Sequence, residues 1–189
     1  EHLGCLDLLA NVAGVASFGH FSTSTEELNR QILEVNFFAP VELARLAVPH
    51  LTRGHSPAIV NLTSMCGRRG MPAWPEYSAS KFALVGITEA WRSEFARFGI
   101  DVLTVVPGLT KSGFDGHFLR NEGKMNIPFD DGMTPEYVAD ETVRAIERGK
   151  TEIVLGREAK RILRFNRLAP RWLNRLIARR VTALYADAK

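Results

Sequence analysis

Cysteine is scarce in this chain: Cys5 and Cys66 are the only two among 189 residues. They share no metal-binding spacing and cannot build a disulfide framework, which excludes a disulfide-stapled scaffold and a cysteine-based zinc site. Both are read as free thiols, with Cys66 the one open to oxidation. No apolar run approaches the ~20 residues that a bilayer-spanning helix needs. Glu1-His2 does not begin a signal peptide, so the cytoplasm is the default compartment. Internal repeats, low-complexity linkers and a second domain are also lacking. Aromatic residues make up 9% and charged residues 24% of the chain, ordinary values for a globular protein long enough to bury a sizeable core.

What is present is an alternation of strand-like and helix-like segments. Leu6 to Ala10 is a short apolar run closed by Asn11-Val12-Ala13-Gly14. After a loop from Val15 to Phe21, the series Ser22-Thr23-Ser24-Thr25 before Glu26-Glu27 starts a helix that runs through Asn36 towards Pro49, with Pro40 as a kink point. Ala58 to Thr63 reads as a buried strand, Gly67 to Pro75 as an irregular loop, and the next stretch as a helix to about Phe98, closed by Gly99. A strand at Val102 to Val106 stops at Pro107-Gly108. A long loop from Leu109 to Met133 follows, and then Thr134-Pro135-Glu136 opens a helix that ends at Gly149. The last strand is Glu152 to Gly156. Strands alternating with helices imply an α/β fold, a parallel sheet with right-handed crossovers.

Chemistry concentrates between Ser64 and Lys81. Tyr77 and Lys81 stand four residues apart in Tyr-Ser-Ala-Ser-Lys, so on a helix they share a face. An ammonium beside a phenol lowers a pKa that starts near ~10, and a tyrosine so placed exchanges protons near neutral pH. Ser64 ends a strand and projects from the carboxyl end of the sheet, where open α/β folds bind their ligands. Plainer readings stand beside these. Ser64 also fits a strand-end hydroxyl bonding nearby backbone, Lys81 a solvated helix residue, and Asn36, between Val35 and Phe37, an amide that only satisfies backbone.

Taken together and in register, these segments resemble the short-chain dehydrogenase/reductase family, from Leu6 to about Gly156. Asn11-Val12-Ala13-Gly14 is similar to its Asn-Asn-Ala-Gly signature, with Val12 in place of the second asparagine. Asn36, Ser64, Tyr77 and Lys81 match its catalytic tetrad. Pro107-Gly108 matches the turn beside the nicotinamide, with Ser112 at the usual threonine position. The resemblance implies a Rossmann-like doubly wound parallel sheet and NADP or NAD as cofactor, contacted by Asn11, Ala13, Gly14, Tyr77, Lys81, Pro107, Gly108 and Ser112. No metal is implied. The implied reaction interconverts a carbonyl and a secondary alcohol on a small or apolar substrate. Tyr77 serves as acid or base and Ser64 holds the substrate oxygen. Lys81 binds the nicotinamide ribose and lowers the tyrosine pKa, while Asn36 holds a water.

The family opens with a Gly-rich phosphate-binding turn and its β-α units, and this sequence carries no counterpart. The chain therefore reads as an amino-terminally truncated, partial Rossmann-like fold, expected to be inactive and poorly soluble alone because its first strand loses a neighbour. Residues 1–156 form the carboxyl-terminal portion of the domain and residues 157–189 a basic amphipathic tail of the same domain. The competing reading is an inactive fragment or relative that acts as an interaction or membrane-surface module. An extended-branch epimerase or dehydratase is disfavoured by the short carboxyl-terminal region.

Two further segments bear on partners. The Leu109 to Met133 loop carries Phe114, Phe118, Leu119, Met125, Ile127 and Phe129 among glycines, and with Met71, Trp74 and Pro75 reads either as an apolar lid or as core packing. In the tail, Ile162, Phe165, Leu168, Trp172, Leu176 and Leu184 recur at helical spacing among seven arginines from Arg161 to Arg180. Its only acids are Glu158 and Asp187, so the tail accounts for the whole net charge of +3. Such a helix packs on the domain or a partner subunit, or touches an anionic membrane peripherally. Nucleic acid is not expected, because the cations lack interleaved aromatics. By resemblance a homo-oligomer is expected, through helix faces carrying Phe37, Phe38, Leu43 and Trp91.

Overall fold

The computed structural model describes residues 4–184 and 186; Glu1, His2 and Asp187, which entered the sequence reading, lie outside the described residues. Four parallel strands form the central sheet in the order β1 (Leu8–Asn11), β3 (Ala58–Leu62), β4 (Asp101–Pro107), β6 (Glu152–Leu155). A two-residue strand β2 (Ser17–Phe18) pairs in parallel with β5 (Arg120–Asn121) outside that sheet. The α/β fold and the doubly wound parallel sheet agree with the sequence reading.

The strand pleat sorts the core. Ile59 and Val102 point to one face, where they pack with Ala44, Ala47 and Leu51 of α2 (Ala39–Leu51) and Trp91 of α3 (Pro75–Phe95). Val60, Leu103 and Val105 point to the other face and meet Val138 and Ala145 of α4 (Pro135–Glu147). Strand order advances in one direction while the covering helix changes face, so the α4 connection winds with the opposite hand to the two before it. Right-handed crossovers throughout, as the alternation implied, therefore do not hold. The Leu109 to Met133 segment is what carries the chain over the end of the sheet to the second face.

Helix ends obey their local chemistry. The Thr25 side chain accepts from the Leu28 amide at 3.2 Å to start α1 (Glu26–Leu33), and Thr134 accepts from the Tyr137 amide at 3.2 Å to start α4. Between α1 and α2 the sequence pattern implied one helix kinked by Pro40. Instead residues Glu34–Phe38 form a π-turn, in which the Ala39 amide reaches back to Glu34 O. Pro40 has no N–H to give the carbonyl of Asn36, so the wider turn forms there, and such turns favour functional positions.

β1 lies at the edge of the sheet. Among the described residues it pairs only with β3, and Leu8 and Ala10, on the face away from α2, are exposed. The tail folds as α5 (Arg157–Leu168) and α6 (Pro170–Leu184), separated at Ala169. Trp91, offered above as a partner contact, is 7% exposed and stacks on Phe95 with ring centroids 5.7 Å apart, so it belongs to the core. Phe38, Leu43 and Leu46 do remain exposed.

Candidate active site

The candidate site gathers at the carboxyl ends of β1, β3 and β4. The polar residues beneath it are placed by register. Asn11 is opposite Asn61, and Asn11 Nδ2 donates to Asn61 Oδ1 at 2.8 Å. Asn61 Nδ2 then donates to the Thr88 hydroxyl of α3 at 2.8 Å. Burying an amide costs several kcal/mol unless it is paired, and this relay pairs both. Asn11 thus ties two strands to the helix, and its side chain is committed there.

Asn36 is fully buried within the π-turn. Its Oδ1 accepts from the Val15 amide at 2.8 Å, and its Nδ2 donates to Val15 O at 2.8 Å and to Ser80 Oγ at 2.9 Å. Ser80 lies on α3 one residue before Lys81, and its hydroxyl donates to Tyr77 O at 2.8 Å. Asn36 therefore brackets the turn after Gly14 to the helix that carries both candidate catalytic residues.

Tyr77 and Lys81 share the buried face of α3, as their spacing implied. Lys81 Nζ donates to Leu62 O at 3.0 Å and lies 5.8 Å from the centroid of the Tyr77 ring. Gly14 stands directly against it: a Cβ there would be 3.3 Å from both Lys81 Nζ and Asn36 Oδ1. Gly67 makes a similar close approach possible on the other side, since a Cβ would come within 2.8 Å of Lys81 O. Ser64 caps the short turn Met65–Gly67, accepting from the Cys66 amide at 3.1 Å, and its hydroxyl acts on the Tyr77 phenol to lower its pKa.

The electrostatics correct one expectation. Burial pushes the Tyr77 phenol above its ordinary value; the potential charge of Cys66 adds to that, and Ser64 opposes it. Lys81 does not depress it here, because its own burial lowers the ammonium to about 8. Desolvation is the largest influence on both groups. Cys66 is buried and pushed up to about 11, chiefly by desolvation, so the reading of it as an oxidation-prone thiol is overturned.

The remaining sequence candidates are dispersed. Ala13 is exposed, and so is Ser112, whose amide bonds Thr110 O at 3.0 Å. Pro107 ends β4, and the Gly108 amide donates to Leu155 O at 3.0 Å. The bare Cα of Gly108 admits α5, since a Cβ there would meet Ala159 Cβ at 3.1 Å.

Over Tyr77 lies an aromatic cluster that both loop readings share. Trp74 and Phe114 sit with ring centroids 5.7 Å from Tyr77, and Trp74 also meets Phe18, Phe118 and Phe129. The ends of the long segment are pinned, with the Met133 amide on Leu109 O at 2.9 Å and the Lys111 amide on Met133 O at 2.8 Å. Sequence reasoning missed its fastening: Glu76 accepts from Ser17 Oγ at 2.8 Å and pairs with Arg120 at 3.2 Å, its side chain 1% exposed. Pro75-Glu76 reads only as a helix start, and nothing local marks that carboxylate as buried.

Two hollows flank these elements. One of about 210 Å³ lies against Met71, Ala73, Met125 and Val181, and one of about 510 Å³ lies against the π-turn and the start of α2, lined by Glu34, Phe38, Val41 and Leu43 and by none of the candidate site residues. Among the described residues no three His, Cys, Asp or Glu side chains gather as a metal site, and no helix is long and apolar enough to cross a membrane.

Strands ending beside a buried tyrosine and lysine define an α/β protein with its polar centre at the sheet's carboxyl edge. The chain belongs to the short chain dehydrogenase family, whose profile matches residues 1–123. It is 31% identical over 158 residues to the dehydrogenase/reductase SDR family member 7B of Xenopus laevis, covering 81% of this chain and 49% of that one. The uncharacterized oxidoreductase YxnA of Bacillus subtilis is 33% identical over 178 residues, with 92% and 50% covered. The chain thus spans about half the length of the curated relatives it matches. A short chain dehydrogenase from Burkholderia cenocepacia, solved in complex with NADP, superposes with a TM-score of 0.80 at 25% identity, covering 93% of this chain and 70% of that one.

Proposed function

We propose that the protein carrying this chain is an NAD(P)-dependent oxidoreductase interconverting a carbonyl and a secondary alcohol. The observation that carries this reading is the packing of Gly14 against Lys81 Nζ, with Tyr77 on the same buried helix face. The donor set suits a ligand rich in hydroxyl oxygens: Lys81 offers three N–H groups, of which one is directed to Leu62 O. Short chain dehydrogenases of this fold bind NADP, as the Burkholderia protein does, and Lys81 with the turn at Gly14 would hold the nicotinamide end here. When bound, the nicotinamide supplies or takes the hydride.

The chain's own residues then handle the proton. With its pKa raised, Tyr77 is protonated at neutral pH and acts as the acid, giving its proton to the carbonyl oxygen in the reductive direction. Ser64 donates to the same oxygen and stabilises the charge that develops on it. Asn36 keeps the Gly14 turn and α3 in register, a positioning task. The cluster of Phe114, Phe118 and Trp74 favours an apolar substrate and excludes water from Tyr77. The exposed Phe38 and Leu43 on the outer helix face support a homo-oligomer.

Tyr77→Phe in the intact polypeptide tests the assignment. With NADH or NADPH and a panel of apolar ketones, kcat should fall by about 10³-fold while the thermal melt is unchanged. Near-normal turnover would remove the proposal.

A further inference from the structure

The tail separates two apolar faces that its sequence pattern had merged. One face of α6 packs on the body of the protein: Leu173 is buried and Ile177 and Val181 are half-buried. The other stays in water. Leu168 at the end of α5 is 76% exposed, Trp172 is 64% and Leu176 is 52%. At about 100° per residue, Trp172, Leu176 and Ala183 fall within one narrow stripe of α6, with Arg179 and Arg180 on its two sides. Arg161, Arg164, Arg167, Arg171 and Arg175 are all exposed around it, and Glu158 is the single acid between Arg157 and Leu184.

We propose that this outward face of α6, with the end of α5, is a docking surface for an anionic membrane. Isolated exposed leucines are common, but a tryptophan and a leucine on one stripe of α6, next to the exposed Leu168 that ends α5 and flanked by arginines, match both parts of such a surface. The rings and methyl groups enter the acyl boundary and the guanidinium groups meet the lipid phosphates. Two like tails facing each other across a two-fold axis would bring arginine against arginine. A nucleic acid would engage the charges and leave Leu168 and Leu176 in water. The helices are already held in place: Arg69, from the loop after Ser64, donates to Asn166 of α5 at 3.1 Å and to Asn174 of α6 at 2.5 Å. The face is therefore preformed, and docking need not order a flexible helix. It is independent of the reaction assigned above.

Vesicle flotation and tryptophan emission test this. Trp74 and Trp91 are buried, so a blue shift on mixing with lipid reports Trp172. Flotation and the shift should rise with phosphatidylglycerol content in phosphatidylcholine vesicles, vanish on neutral vesicles and weaken with salt. The double variant Trp172→Ser, Leu176→Ser should lower partitioning by about tenfold or more, and Arg175→Glu with Arg179→Glu by about thirtyfold or more. Both pairs are on the solvent face, so circular dichroism should match the parent. No binding to anionic vesicles overturns the proposal, as does undiminished flotation of the serine variant. So does tighter binding to duplex DNA than to vesicles, or a lipid-free dimer that the serine variant abolishes.

Discussion

Lys81 and Arg175 are both long cations on helices, yet they belong to different physical regimes. Lys81 is 3% exposed, donates to a strand carbonyl and has its pKa drawn down to about 8 by burial. Arg175 stands in water on α6 among others of its kind. The same contrast holds between the whole sheet end and the whole tail. At the sheet end, Asn11, Asn36, Asn61 and Lys81 are buried and each has named partners. In the tail the charges are many and their partners few. A polar group acquires specific chemistry when low dielectric surroundings make each contact count, whereas a solvated charge contributes through number and field.

The buried half is probed most directly by removing the hydroxyl proposed above as its oxyanion donor. Ser64→Ala in the intact polypeptide should lower kcat by about 10²-fold without loss of fold, measured by steady-state oxidation of NADH or NADPH. Unchanged turnover would leave Tyr77 without its partner and weaken the whole site.

The fastening of the long segment comes next. Arg120→Met leaves the Glu76 carboxylate buried with only Ser17 as a donor, at a cost of about 3–5 kcal/mol. Urea unfolding should show that loss, and Glu76→Gln, which keeps a polar group for Ser17, should cost less. Equal losses for the two variants would mean that the ion pair itself is not what matters.

Lys81 provides a pH test with a definite sign. Its folded pKa of about 8 lies below the ordinary 10.5, so between those values the unfolded chain holds more protons. The contribution of Lys81 to stability should therefore rise with pH across that window, by on the order of 3 kcal/mol, while the raised thiol of Cys66 and phenol of Tyr77 act with the opposite sign. The difference between parent and Lys81→Met in a series of urea melts should show that rise, and a difference that is flat between pH 8 and 10.5 would overturn it.

The smallest effect is expected in the tail. Arg175→Ala should change stability by less than about 0.5 kcal/mol, because the side chain is solvated. A larger loss would show that the guanidinium makes a contact the exposed face does not display, and would sharpen the contrast from the other side.

Much of the architecture was legible in the chain. The Thr25 and Thr134 caps, the four sheet strands and the α3 helix with Tyr77 and Lys81 on one face follow from hydrogen-bonding chemistry and periodicity, which act over a few residues. The π-turn was half legible: Pro40 announces a missing N–H, but whether a helix kinks or widens depends on what packs beside it. Trp91 was misplaced as a surface residue because a helix pattern does not say which of two apolar neighbours meets the sheet.

The tyrosine pKa shows the boundary most directly. Spacing determined that an ammonium and a phenol lie on one helix face, and residue type determined what protons they carry. Their direction of shift was decided by burial beneath Trp74 and Phe114, rings that stand three residues before Tyr77 and thirty-seven after it. The Glu76–Arg120 pair is of the same kind, joining residues 44 apart. Periodicity, caps and turns are local and so are written in the order of residues. Desolvation, ion pairing and the face of α6 left in water depend on which distant segments exclude solvent, and only the folded chain decides that.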